Sequence, residues 1–223
     1  MKTPLFIFIL VAVLAMACTF NLNLNTPPTG TAGPTSAVPT STTSSPFPWP
    51  DEAGTCTLVT TGTVTLYDRP SAEAQIFSEV GADFSAVVTG RTVDGWVGFD
   101  PGIAQAANIG VFRLRWAFFD DVSLSGNCVD VPQLGWVPAP DLCYTMPMES
   151  VNVYTGTNTS SSVLATLDVE DFASVSGYTS DGWAQVDLGA GNTGLTGIGW
   201  MQQADLNLNG GTCDELPSVS HSG

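Results

Sequence analysis

The chain has 223 residues, 43% of them apolar, which is enough for one or two domains with real cores and excludes a wholly disordered protein. Its formal net charge is −16, from 21 acidic residues against 5 lysines and arginines. Such a surface repels polyphosphates, so nucleic acid, anionic lipid headgroups and teichoic-acid-like polymers are poor partners, and the same charge keeps a surface protein soluble.

At the N-terminus Lys2 precedes an apolar run from Leu5 to Ala17. The run is too short to cross a bilayer as a mature helix and has the proportions of an export signal. It ends Leu14-Ala15-Met16-Ala17-Cys18. Ala15-Met16-Ala17 suits ordinary signal peptidase and a freely secreted product. A small residue directly before cysteine instead suits a lipoprotein signal over residues 1–18, with Cys18 lipidated after cleavage. Five cysteines favour lipidation, because using Cys18 leaves four to pair in an oxidising compartment. The expectation is an exported envelope protein, attached to the membrane only through its N-terminal lipid.

Residues 19–54 are rich in Thr, Ser, Pro and Gly, as in Thr40-Ser41-Thr42-Thr43-Ser44-Ser45, and poor in large apolar side chains. Such a segment cannot repay its ordering entropy and reads as a disordered tether. As a flexible coil it would reach about 30 to 36 Å.

Beyond the tether the chain repeats. Cys56 precedes Cys143 by 87 residues, and the same offset matches Val64-Thr65-Leu66-Tyr67 to Val151-Asn152-Val153-Tyr154. It also matches the two copies of G-x-T-x-D-G-W, Gly90 to Trp96 and Gly177 to Trp183. After a loop of unequal length, Trp116, Asp121, Leu124 and Gly126 match Trp200, Asp205, Leu208 and Gly210. Each copy closes on a cysteine followed four residues later by proline, at Cys128 and Cys213. The reading is therefore two modules, 55–132 and 143–217, joined by a linker over 133–142 and followed by a tail over 218–223. Of the three pairings open to four cysteines, Cys56 with Cys128 and Cys143 with Cys213 is the one that duplicates with the module. Each loop so closed removes about 4 kcal/mol of denatured-state entropy.

Within a copy the signals are short strands. Val64 to Tyr67, Phe84 to Val88, Trp96 to Phe99 and Phe112 to Ala117 are β-branched or aromatic and are punctuated by Gly, Pro and Asp. Asp94-Gly95 and Asp181-Gly182 sit between strands as hairpin turns. Five or six short strands in so few residues predict an all-β fold of two small barrels, since closure hides sheet edges.

Catalytic chemistry finds little material. The one histidine, His221, lies in a Ser/Gly/Val tail, and no acid stands in a context that marks a raised pKa. No cofactor is expected. Asp205, Asn207 and Asn209 begin a D-x-N-x-N-G calcium pattern, but Leu216 stands where the closing Glu belongs, and the stretch reads equally as a strand running into a Gly-Gly turn. The candidate contact residues are aromatic: Tyr67, Trp96 and Trp116 in one copy, Tyr154, Trp183 and Trp200 in the other. Their rings suit sugar faces and peptide side chains, and suit a small core equally well. Arg69, Arg91, Arg113 and Arg115 all fall in the first copy, so the two surfaces differ.

These motifs resemble the bacterial SH3-like domain. Copy two shows its opening Val151-Asn152-Val153, then Val163 to Leu167, Val175-Ser176-Gly177, Asp181-Gly182-Trp183 and Gly199-Trp200-Met201. Copy one is more divergent, with Arg69-Pro70-Ser71 in its loop and Arg115-Trp116-Ala117 at its close. Tyr67 and Tyr154 stand where that family carries arginine. The resemblance implies two tandem SH3-like barrels that bind a cell-wall peptide or glycan, or an envelope protein, without catalysis. The alternative is a structural spacer or assembly subunit.

Overall fold

The computed structural model describes residues 46–105 and 107–220. The export segment, Cys18, the tether as far as residue 45 and His221 lie outside them. The first module comprises β1 (Thr57–Val59), β2 (Val64–Tyr67), β3 (Ile76–Val80), β4 (Ser85–Val87), β5 (Gly90–Arg91), β6 (Trp96–Phe99), β7 (Arg115–Phe118) and β8 (Ser123–Ser125). The second comprises β9 (Tyr144–Thr145), β10 (Val151–Tyr154), β11 (Val163–Leu167), β12 (Ala173–Tyr178), β13 (Trp183–Asp187), β14 (Ile198–Gln202) and β15 (Leu208–Asn209). Short 3-10 turns are the only helical segments among the described residues. The fold is all-β, as the β-branched and aromatic runs predict.

Both modules follow one path. The second is a seven-stranded sheet in the order β11-β10-β14-β13-β12-β9-β15. The first divides the same order into a five-stranded sheet, β3-β2-β7-β6-β5, and a three-stranded sheet, β4-β1-β8. The single long strand β12 does the work of β4 and β5 together. Where β4 and β5 part, the ladder persists: the Val88 N–H donates to the Cys56 carbonyl at 3.0 Å and Thr89 N–H to Gly98 at 2.9 Å. At the matching place β12 shifts register between Val175 and Gly177. One irregularity thus bends the strand in both copies, as an extra residue in a ladder does.

The expected closure of barrels is not found. The sheets are open, ending on β3, β5, β4 and β8 in the first module and on β11 and β15 in the second. Strands of two to six residues, interrupted by register shifts at Leu66/Tyr67, Val153/Tyr154 and Val175/Gly177, leave the ladders too short to meet. Past each closing cysteine the chain lies parallel beside the strand that follows the bend, Gln133 beside Arg91 of β5 and Ser218 beside Tyr178 at the end of β12. Residues read from composition as the start of the linker and of the tail are thus paired to a module.

The disulfides Cys56–Cys128 and Cys143–Cys213 are both formed, with Cα atoms 4.8 Å apart in each. The first sits in a core with Leu58, Leu66, Val97, Phe99 and Ala117. The second module's main core is Val153, Leu167, Val186, Leu188 and Met201. Val64 and Leu66 of β2 are buried, and Thr65 and Tyr67 alternate with them as partly exposed residues.

A further core joins the modules. Phe112, on the loop between β6 and β7, packs with Tyr144, Met146 and Phe172 of the second module; its ring centroid lies 5.2 Å from Phe172, edge to face, and 5.8 Å from Tyr144. Arg69 is buried over the Phe112 ring at 4.9 Å, and its guanidinium donates to Asn209 Oδ1. Asn209 Nδ2 donates to Asn108 Oδ1 at 2.7 Å, and Asn207 Nδ2 to the Ala107 carbonyl at 2.8 Å. Burial pushes the pKa of Arg69 down, opposed by Asp68 beside it. Arg115, over the Phe77 ring at 4.4 Å, shares this region. Buried guanidiniums are tolerated because carbonyls, amides and ring faces replace their water.

Candidate functional site

The shared G-x-T-x-D-G-W motif builds the same turn twice. Thr92 and Thr179 are buried, and their hydroxyls accept the backbone N–H of Trp96 at 3.0 Å and of Trp183 at 2.9 Å. The intervening glycines carry positive φ, +93° at Gly95 and +90° at Gly182, which a side chain would strain. Their carbonyls accept from Phe119 at 2.8 Å and from Gln203 at 2.9 Å, fixing where the next strand ends. The threonine therefore staples the hairpin, and the tryptophan that follows is held in one place.

Around each turn the six aromatic candidates assemble as two equal groups. Tyr67 lies edge to face on Trp96 at 5.5 Å, and Tyr154 on Trp183 at 5.9 Å. Tyr67 pairs with Trp116 across the β2–β7 ladder and Tyr154 with Trp200 across β10–β14. Trp116 lies flat on Gly98, where a Cβ would come within 2.9 Å of its ring. The four tryptophans are buried, between 0% and 8% exposed, so they are framework; the tyrosines are half-buried and carry the accessible edge of each group.

The environment of the two groups differs. On the first module the Phe47 ring lies against Gly95, and packs 6.0 Å from Phe118 and 5.2 Å from Phe119. Trp49 stands edge to face on Phe119 at 5.1 Å and beneath the Arg91 guanidinium at 4.9 Å. The strap continues with Cys128 N–H donating to the Pro50 carbonyl at 2.8 Å and Asn127 N–H to Gly54 at 2.9 Å. On the second module Gly182 has nothing within 4 Å of a notional Cβ, and Gln202 and Gln203 replace Phe118 and Phe119. Burial, and then Asp214, raises the pKa of Tyr178, which stands where Arg91 does. The end of the sequence-defined tether thus covers one turn glycine, while no described residue lies against the other.

The arginines and the calcium-like segment are committed to structure. Arg91 donates to the Val131 and Val129 carbonyls, each at 3.0 Å, and Arg113 pairs with Asp100 at 2.9 Å. Asp205 ends an exposed 3-10 turn, while the amides of Asn207 and Asn209 reach across to the first module. Composition hid Phe47 and Trp49 inside the tether, and Phe112 lies in the loop whose length differs between copies. A usable signal did exist: Trp49 and Trp136 each stand seven residues before the opening cysteine of a module.

No family model matches the chain, and no curated protein does. Among solved structures, NlpC2 and NlpC1 from Trichomonas vaginalis align over 70% of this chain with TM-scores of 0.24 and sequence identities of 11% and 12%. The chain spans just under half of each, 47% and 46%.

Proposed function

We propose that the protein is a non-catalytic, exported envelope lipoprotein, anchored through Cys18, whose two modules are of the bacterial SH3-like type and bind a cell-wall peptide or glycan, or an envelope protein. The observation that carries this reading is the turn of the second module, where no described residue comes within 4 Å of a Cβ on Gly182 and Tyr154 stands at the edge, beside the same turn on the first module, which the chain's own Phe47 fills. A face that holds an aromatic segment in one copy is suited to hold a ligand in the other. The lack of catalysis is supported by a single histidine and by four of five cysteines tied in disulfides.

The test is binding of the purified protein to cell-wall fragments and to envelope extracts. Saturable cell-wall binding that weakens about tenfold on Tyr154→Ala supports the reading, that being the scale of an aromatic contact residue in an interface. Binding indifferent to that change would refute the assigned face. Membrane association should be lost in Cys18→Ser. A second reading, a rigid spacer within an envelope assembly, is favoured by the buried junction at Phe112, and retention of protein partners alone would select it.

A further inference from the structure

Trp49 and Trp136 occupy equivalent places before their modules, but their surroundings are opposite. Trp49 is sandwiched between Phe119 and Arg91. Trp136 is 56% exposed, and among the described residues it forms no ring pair and meets no cation. The cause is a shared residue. Leu134 is the counterpart of Phe47, yet it is bound to the first module: its N–H donates to the Arg91 carbonyl at 2.8 Å and its side chain lies over Gly90. A chain fixed there and at Cys143 cannot also strap Trp136 onto the second module's turn. Downstream, the Ala139 N–H donates to the Tyr144 hydroxyl at 2.9 Å, and Pro138 and Pro140 restrict the backbone, so Trp136 is presented on a pre-ordered segment.

The cation is missing as well. Tyr178 replaces Arg91, no lysine or arginine follows Arg115, and residues 137–220 carry ten acidic side chains. An exposed indole that leads into a stretch whose Asp and Glu have no Lys or Arg among them attracts a positive group by its ring face and by the field of that stretch together. We propose that Trp136 and the acidic surface of the second module form a docking surface for a basic, arginine- or lysine-bearing segment of a protein partner, whose cation sits on Trp136 as Arg91 sits on Trp49. This rests on the binding reading above and names the chemistry of its partner.

The experiment titrates the full chain against a labelled oligoarginine peptide, with an oligoserine peptide as the uncharged control, following anisotropy at low and high salt. Saturable, salt-sensitive binding of oligoarginine alone is expected. Trp136→Ala should weaken it about three- to tenfold, the scale of a cation–π contact, and Trp136→Phe should restore part of the loss. Circular dichroism should show both variants folded, since the ring is exposed. Equal binding by wild type and Trp136→Ala, which would mean diffuse attraction to acid alone, overturns the proposal, as does absence of saturable binding. Cell-wall binding that survives while oligoarginine fails would sink this inference and leave the broader reading standing; the converse would remove the cell-wall ligand from the broader reading and leave its protein partner.

Discussion

The outer faces of β1, β4 and β8 and of β9, β12 and β15 occupy the same place in the two modules and have taken opposite characters. On the first the residues are Thr57, Val59, Ser85, Ser123 and Ser125, the serines exposed. At the matching positions the second has Tyr144, Met146, Phe172, Asn207 and Asn209, which meet the first module. A face in water needs short hydroxylated side chains, whereas a face against protein needs large apolar groups and amides with partners. The same division holds at the turns, where Phe47 covers Gly95 and no described residue lies within 4 Å of a Cβ on Gly182. Duplication kept the frame and assigned each face a separate environment, so the array has a direction and a polar outer end, as stacked repeats require.

The strongest way to break this comparison is Phe112→Ala. It removes the one large ring that the first module inserts into the second, and should cost about 3 to 5 kcal/mol. Calorimetry should then show the single unfolding transition of the coupled pair splitting in two; an unsplit transition would mean that the modules are not coupled through this face. A sharper probe sets Gly95→Ala against Gly182→Ala. Each forces a side chain into positive φ, at about 1 to 2 kcal/mol. Gly95→Ala also drives a Cβ to 2.3 Å from the Phe47 ring, so it should lower the thermal midpoint further and release the strap. Equal losses would show that the strap contributes nothing.

The smallest effect concerns Asp100. The Gly102 N–H and then Arg113 hold its carboxyl below the ordinary aspartate range. The stability it lends is present above the unfolded pKa of about 3.9 and is lost as pH falls through the lower folded value. Asp187 accepts the Gly189 N–H in the same way but has no arginine beside it. Carboxyl titration followed by NMR should show Asp100 rising toward the ordinary value in Arg113→Ala, with the second module's resonances unmoved.

The repeat, both disulfides and most strands were legible because a constant offset aligns cysteines, turns and alternating apolar residues. The open sheets were not legible, since a register shift such as that at Val175 and Gly177 depends on tertiary fit and leaves no mark in an apolar pattern. The aromatic groups were found, but their tryptophans are packed on glycines such as Gly98, a pairing between strands that a linear reading does not reveal. Phe47 and Trp49 were lost to the average composition of their neighbours. The arginines distinguished the two surfaces in the sequence, whereas burial over Phe112 and Phe77 commits two of them to holding the structure together.

The strap also has a mechanical meaning. Tension applied at Phe47 would act on aromatic contacts and a few hydrogen bonds, peeling them one after another. At Cys56 the peeling meets a covalent bond to Cys128 and stops. The stretch from Phe47 to Thr55 would by then have released about 30 Å of chain, at about 3.3 to 3.6 Å per residue. Under such a load the segment would yield while the sheets behind the disulfide stay folded.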